Sequence, residues 1–331
     1  MAISIDSIVS CVPRNRVTNE FFVPHLGEKV VEDIAKLTGV STRYWADENQ
    51  TTADLCIAAA KHMSSAGNID LGLCDAVIFV SQTPDYILPG SAFVAHKELN
   101  LSADCTCLDI NAGCTGYVLG LSLAHDLIKA GRYRKILLLA GDTISKTTTN
   151  DDRSTAMIFG DAGTATIVTA SEVGNANHFI IGSDSSGIES LKIQNGMFRQ
   201  QEKTQGLDDH LFMDGAAVFN FTLKAIPNLL HDLADKSGKA VQDFDQVLMH
   251  QANAFMLRHI AKKSGLGMER VPINIGEFGN TSSATIPLLL CNEVDISKPS
   301  NYAFLGFGVG FSWAAASMEL GPIPFSDTVY L

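Results

Sequence analysis

The 331-residue chain reads as an α/β protein, and three observations carry that reading. Short runs rich in Val, Ile, Leu and Ala alternate with longer segments of helical character. The strand-like runs are apolar on both faces, as strands covered by helices on each side must be. Twice, at "CLDINAGC" and at "VLMHQAN", such a run ends in a loop that carries a reactive side chain and opens a helix.

Taken in order, strands are expected at 75–82 ("DAVIFVSQ"), 105–110 ("CTCLDI"), 135–142 ("KILLLAGD") and 162–170 ("AGTATIVTA"). Others follow at 246–251 ("QVLMHQ"), 302–310 ("YAFLGFGVG") and 311–320 ("FSWAAASMEL"). Helices are expected near 52–66, 90–99, 115–130, 215–235, 254–264 and 282–293. The 115–130 segment is apolar almost all round, which assigns it to a core, and Gly131 supplies its stop. The repeated strand–loop–helix unit predicts two similar halves packed as one body, 1–172 with the cysteine and 173–331 with the histidine. No Pro- or Ser-rich linker and no short-period repeat interrupts them.

Composition narrows the function. Hydrophobic residues make up 46% and charged residues 18%, which suits a compact enzyme rather than a disordered chain. The net charge of −12 argues against nucleic acid or anionic membranes as partners, so any acidic partner must meet a local basic patch. No run approaches the ~18 apolar residues of a membrane span, and the "MAISIDSIVSCVPRNRV" start lacks a secretory leader pattern. The 7 cysteines are scattered and odd in number, which predicts no disulfide framework. No second Cys or His pair at ligand spacing accompanies them, so no metal site is expected. A cytoplasmic protein is the expectation.

Cys114 stands apart from the other cysteines. It lies at the start of the 115–130 helix, where unpaired amides and the helix dipole favour negative charge. That position predicts a lowered thiol pKa, and Gly113 and Gly116 are expected to let a ligand approach the sulfur. A free cysteine is more often a small buried hydrophobe, so partners decide the matter. His250 directly follows an apolar strand, and Asn280 in "EFGNTSSATIPLLL" precedes a helix with Ser and Thr capping candidates. Alone, such a His is mostly structural and such an Asn mostly a turn residue. Together with Cys114 they occupy strand or loop ends, where α/β active sites concentrate, and a cysteine nucleophile needs such partners.

"DINAGCTGY", "GDAGTATIV", "MHQAN", "GNTSSA" and "GFGVGFSW", in this order, resemble the beta-ketoacyl-acyl-carrier-protein synthase III family of the thiolase superfamily. The resemblance runs from about Ile3 to Leu320. It implies a thiolase fold of duplicated halves in a five-layered α-β-α-β-α arrangement, and a homodimer. It also implies that Cys114 takes an acyl group from a thioester primer, while His250 and Asn280 bind the thioester carbonyl of malonyl-carrier protein. An enolate-like anion then develops as CO₂ leaves, and attacks the acyl-cysteine to give a 3-oxoacyl thioester. The backbone N–H groups of Cys114 and Val309 would form a second oxyanion hole. The implied partners are acyl carrier protein and acyl-CoA or acyl-carrier protein as primer, with no further cofactor. Asn253, in the histidine motif, joins Arg153 and Leu88 as a substrate-contacting candidate.

Some positions depart from the family. Its housekeeping members stack the CoA adenine between a Trp and an Arg. Arg153 supplies the Arg, but the Trp positions are occupied by Asp33 and Leu37, and Trp45 is offset. Leu88 stands where a Phe often lids the partner subunit's acyl pocket. These changes predict a specialised member of a lipid or secondary-metabolite pathway. Arg258, Lys262 and Lys263, on the helix after His250, are candidates for docking an acidic carrier protein. The alternatives are a same-fold acyltransferase forming an ester or amide with His250 as base, and a non-catalytic partner subunit.

Overall fold

A computed structural model gives the fold, and the structure describes residues 2–171, 176–195, 198 and 209–331. The main strands are β1 (Ala2–Val12), β2 (Ala76–Val80), β3 (Thr106–Ile110), β4 (Lys135–Asp142) and β5 (Ala162–Ser171). They continue as β6 (His178–Ser183), β7 (Gln246–Met249), β8 (Ser300–Gly308), β9 (Ser312–Leu320) and β10 (Phe325–Tyr330). The main helices are α1 (Glu28–Thr38), α2 (Thr52–Ala66), α3 (Ser91–Glu98) and α4 (Gly116–Lys129). After them come α5 (Gly215–Ser237), α6 (Ala254–Lys263) and α7 (Thr285–Glu293). Every strand and helix expected from the sequence is present, with ends displaced by at most about three residues. The helix expected from 282 begins as a single 3₁₀ turn, Ser282–Ala284, before α7.

Local chemistry fixes several boundaries. The Thr51 hydroxyl accepts from Asp54 N–H while the Asp54 carboxylate accepts from Thr51 N–H, a reciprocal cap that starts α2. At the end of α4, Gly131 adopts φ +74°, a conformation that stops the helix at little cost.

The strands form a six-stranded sheet in the order β10-β1-β5-β4-β2-β3 and a four-stranded sheet in the order β7-β8-β9-β6. In β4, alternate residues serve opposite faces. Ile136, Leu138 and Ala140 pack with α4, whereas Leu137 and Leu139 pack with α2 and α3. Tyr117 and Leu121 of α4 and Leu289 and Leu290 of α7 lie between the sheets, against Ile78 and Val80 on one side and Phe304 and Ala314 on the other. Leu229 and Leu230 of α5 and Leu257 and Ile260 of α6 cover the far face of the second sheet. The layers are therefore α2/α3, first sheet, α4/α7, second sheet and α5/α6, the five-layered arrangement expected. The expected division at residue 172 lies outside the described residues. The C-terminal stretch also contributes to the first sheet, since β10 pairs in parallel with β1 from Ser7↔Phe325 to Val12↔Tyr330.

Candidate active site

Strand ends supply the site. Cys114 lies between the end of β3 and α4, with Thr115 at the helix cap. The end of β8 passes directly over it, and a Cβ on Gly308 would sit 3.0 Å from Cys114 Sγ, so only glycine admits this approach. The main-chain amides of Cys114 and Val309 and the Ser282 hydroxyl lie near enough to the sulfur to favour its thiolate. Both amides expected to form an oxyanion hole are thus in the neighbourhood of the reactive atom.

Two expectations about this residue are corrected. Burial pushes the Cys114 thiol up to about 12 rather than down, and the nearby Asp142 carboxylate adds to the rise. The Ser282 hydroxyl and the Cys114 and Val309 amides pull the other way and are outweighed. The flanking glycines do not open the sulfur to a ligand either. A Cβ on Gly113 would lie 2.3 Å from Gln82 Oε1, and one on Gly116 would lie 2.4 Å from Val80 Cγ1. They make room for the chain's own side chains.

His250 follows β7, and its main-chain N–H donates to Leu305 C=O at 2.8 Å. Its ring stands edge-on to Phe307, with centroids 5.4 Å apart. Nδ1 lies 2.8 Å from Thr285 Oγ1, which leaves Nε2 for the cavity. Burial holds the imidazole down to about 3, so the ring is neutral at physiological pH. The Thr285 hydroxyl donates to Ser282 C=O at 3.0 Å, and the neutral ring presents Nε2–H as a donor once that hydroxyl turns its proton toward Nδ1 instead.

Asn280 is locked from both sides of its backbone, its N–H donating to Ile158 C=O at 2.9 Å and its C=O accepting from Gly160 N–H at 3.1 Å. Its side-chain Oδ1 accepts from Ser282 N–H at 2.9 Å. That bond fixes the amide so that the NH₂ group is the one left to donate.

Cys114, His250, Asn280, Asn253 and Val309 all line one cavity of about 110 Å³, walled by Ile144, Phe159, Leu191, Leu211 and Phe307. A wider cavity of about 470 Å³ adjoins it and shares Ile158, Met213, Gly215, Asn253 and Met256. The shared walls define a channel from the surface to the sulfur. Leu37, Thr38, Arg153, Phe219 and Phe255 line its outer part. Trp45 packs elsewhere, edge-on to Phe21 and Phe22, and its Nε1–H donates to Phe159 C=O at 3.0 Å. Asp33 pairs with Lys29 at 3.0 Å.

The remaining candidates are spread out. Asn253 caps α6, its Oδ1 accepting from Met256 N–H at 2.7 Å, so its first task is structural. Leu88 is 79% exposed and lies outside both cavities of its own chain. Arg258, Lys262 and Lys263 are exposed on α6, but the residues of this helix that reach the channel are Phe255 and Met256. Lys263 Nζ donates to Leu223 C=O at 2.8 Å and ties α6 to α5. Sequence reasoning missed Asp142, Ser282 and Thr285, whose polar groups surround Cys114 and His250. Among the described residues, no group of three or more His, Cys, Asp and Glu is arranged to hold a metal ion.

This fold and this cavity are those of the condensing enzymes of the thiolase fold. The family model described as 3-oxoacyl-[acyl-carrier-protein] synthase III matches residues 108–185, and the model of its C-terminal part matches residues 234–320. The beta-ketoacyl-[acyl-carrier-protein] synthase III of Neisseria meningitidis serogroup B is 31% identical over 316 residues, which cover 94% of this chain and 97% of the relative. That of Clostridium perfringens is 32% identical over 317 residues, covering 93% and 96%. The crystal structure of a 3-oxoacyl-(acyl-carrier protein) synthase from Burkholderia xenovorans superposes with a TM-score of 0.96 at 43% identity, over 100% of this chain and 97% of that one. The chain belongs to the 3-oxoacyl-acyl-carrier-protein synthase III family.

Proposed function

We propose that this chain catalyses the two-step reaction of a 3-oxoacyl-acyl-carrier-protein synthase III. The observation that carries the proposal is the convergence of Cys114, His250 and Asn280 on one buried cavity at the end of a channel. In the first step Cys114 sulfur attacks the carbonyl carbon of a thioester primer. The Cys114 and Val309 amides hold the oxyanion, and the primer's own thiol leaves. In the second step the thioester carbonyl of malonyl-carrier protein lies between His250 Nε2–H and the Asn280 NH₂. The bond to the carboxylate breaks, CO₂ departs, and the electron pair becomes an enolate stabilised by those donors. The enolate carbon attacks the acyl-cysteine, forming the 3-oxoacyl thioester and freeing Cys114.

The orientation of Asn280 favours condensation over simple transfer to an alcohol or amine, because transfer has no use for a second fixed donor. The outer channel has Arg153 but an aliphatic Leu37 where an adenine platform would stand. The primer therefore comes better from a carrier protein than from CoA, as in a specialised lipid or secondary-metabolite pathway. We further propose a cytoplasmic homodimer, whose interface takes in the exposed Tyr86, Ile87, Leu88 and Phe93.

The test is intact-mass analysis after incubation with acyl thioesters, together with CO₂ release from malonyl-carrier protein. One acyl mass mapping to Cys114 and CO₂ release coupled to a 3-oxoacyl product are expected. Acylation without CO₂ release would establish the transferase reading instead.

A further inference from the structure

Arg43 is fully buried and lines neither cavity. It sits in the three-residue strand Thr42–Tyr44, which pairs antiparallel with Arg16–Thr18. Its guanidinium lies over the Phe22 ring, 5.0 Å from the centroid. Nη2 donates to Met157 C=O at 2.6 Å and to Asn19 Oδ1 at 2.8 Å, and Nη1 donates to Val17 C=O at 3.4 Å. Burial pulls its pKa down to about 10, so the group is still charged at neutral pH and carries the cost of desolvation. An apolar side chain of similar size would fill the space without that cost. What an arginine adds is a rigid fork of donors that ties separate chain segments together.

The tied segments lead to Asn280. Met157 opens the stretch 157–160, whose Ile158 C=O and Gly160 N–H hold the Asn280 backbone, and Phe159 and Asn280 are bridged in parallel. The strand that carries Arg43 also grips the chain just before Asn280. Thr42 Oγ1 donates to Glu277 C=O at 2.7 Å, and Ser41 N–H donates to Gly276 C=O at 2.9 Å. The stem of Arg43 fits where the two stretches meet. A Cβ on Gly160 would lie 3.3 Å from Arg43 Cβ, and one on Gly279 would lie 3.2 Å from it. Cys114, in contrast, is placed by the end of β3, the start of α4 and the overlying Gly308.

We infer that Arg43 is a positioning residue for Asn280, holding the side-chain amide at the depth in the cavity that the enolate requires. The inference rests on the reading of Asn280 as a donor to that enolate. Asn280 takes its place from main-chain bonds to 158 and 160, and Arg43 braces that stretch from its far side through Met157. Loss of the brace lets both stretches shift together. The amide is then displaced, while the sulfur and its oxyanion amides stay where they are.

The test measures acyl loading of Cys114 by intact mass and steady-state CO₂ release from malonyl-carrier protein. A displacement of about 1 Å at a reacting group can cost about 10²-fold in rate. Arg43→Lys should therefore lower kcat for CO₂ release by about 10- to 10²-fold, with KM and the loading rate each within about twofold of wild type. Added to Asn280→Ala, which removes the amide to be positioned, the same change should cost less than about twofold more. Asn19→Ala keeps the arginine and removes one of its anchors. It should show a smaller loss of the same kind, and it decides the matter if Arg43→Lys does not fold. Equal loss in loading and CO₂ release, or losses that multiply in the double variants, would overturn the inference. Normal CO₂ release by Asn280→Ala alone would instead overturn the reading on which it rests.

Discussion

The Cys114 thiol shows how burial and local donors compete at a single atom. Two amides and a hydroxyl favour the thiolate, yet removal from water outweighs them and the resting group stays protonated. Its folded pKa, about 12, stands above the ordinary cysteine value near ~8.5, so the thiolate fraction at neutral pH is smaller than that of a free cysteine. Alkylation by iodoacetamide without substrate should accordingly be slow at pH 7.5 and accelerate steadily with pH. Rapid labelling with a plateau below about pH 8 would contradict this. Asn280 makes a different demand, because in the proposed reaction it acts only while charge develops. Asn280→Ala should load primer at a near-normal rate but lose about 10²–10³ in CO₂ release. Equal loss in both steps would assign the residue to the architecture rather than to the enolate. Cys114, His250 and Asn280 were legible in the sequence because each ends a strand or loop before a helix. Asp142, Ser282 and Thr285 were not, since a Ser, Thr or Asp near a strand end looks like any cap or turn. The direction of the thiol shift was misread for a related reason: helix position is local, whereas desolvation depends on everything folded around it.

Among the elements, α1 and α6 flank the mouth of the channel, through Leu37 on one and Phe255 on the other. Leu37 and Arg153 line the same cavity, so an aromatic ring at position 37 should recreate a platform for a nucleotide base. Leu37→Trp is expected to lower the KM for acyl-CoA by about 2- to 30-fold, the range of a cation–π contact, and to leave carrier-protein substrates almost unaffected. Unchanged use of CoA would mean that the base binds elsewhere. On α6, Arg258 and Lys262 are exposed one turn apart, whereas Lys263 is engaged with α5. Reversing Arg258 and Lys262 to Glu, with Lys263 left alone, should raise the KM for malonyl-carrier protein several-fold at low salt. The penalty should shrink as the Debye length falls toward ~8 Å. A loss insensitive to salt would point to damage to the helix. The long apolar strands and amphipathic helices were readable because their periodicity repeats over several residues. The pairing of Arg16–Thr18 with Thr42–Tyr44 was not, because three-residue strands carry no period. β1 escaped notice because Ser7 and Ser10 are polar yet fully buried.

At the scale of the molecule, the five layers place α4 and α7 where both sheets cover them, and Cys114, the proposed nucleophile, sits just ahead of the first of these helices. The first sheet is not made from a continuous piece of chain. Its strand at Phe325–Tyr330 is synthesised long after the strand at Ala162–Ser171, yet it lies beside β1 at the sheet's edge. On the ribosome, β1 must therefore wait with one row of peptide groups unpaired while the second half emerges. Such a waiting edge is a template for association with other chains. Removal of residues 322–331 should leave the cavity residues intact in sequence but expose Val9, Cys11 and their neighbours along β1. The truncated protein is expected to partition into inclusion bodies, and any soluble fraction should run as large assemblies in size-exclusion chromatography. A monodisperse, active truncation would show that the edge is harmless. Fusions that delay or obstruct this late strand carry the same hazard, so an affinity tag is better attached ahead of Met1 than after Leu331.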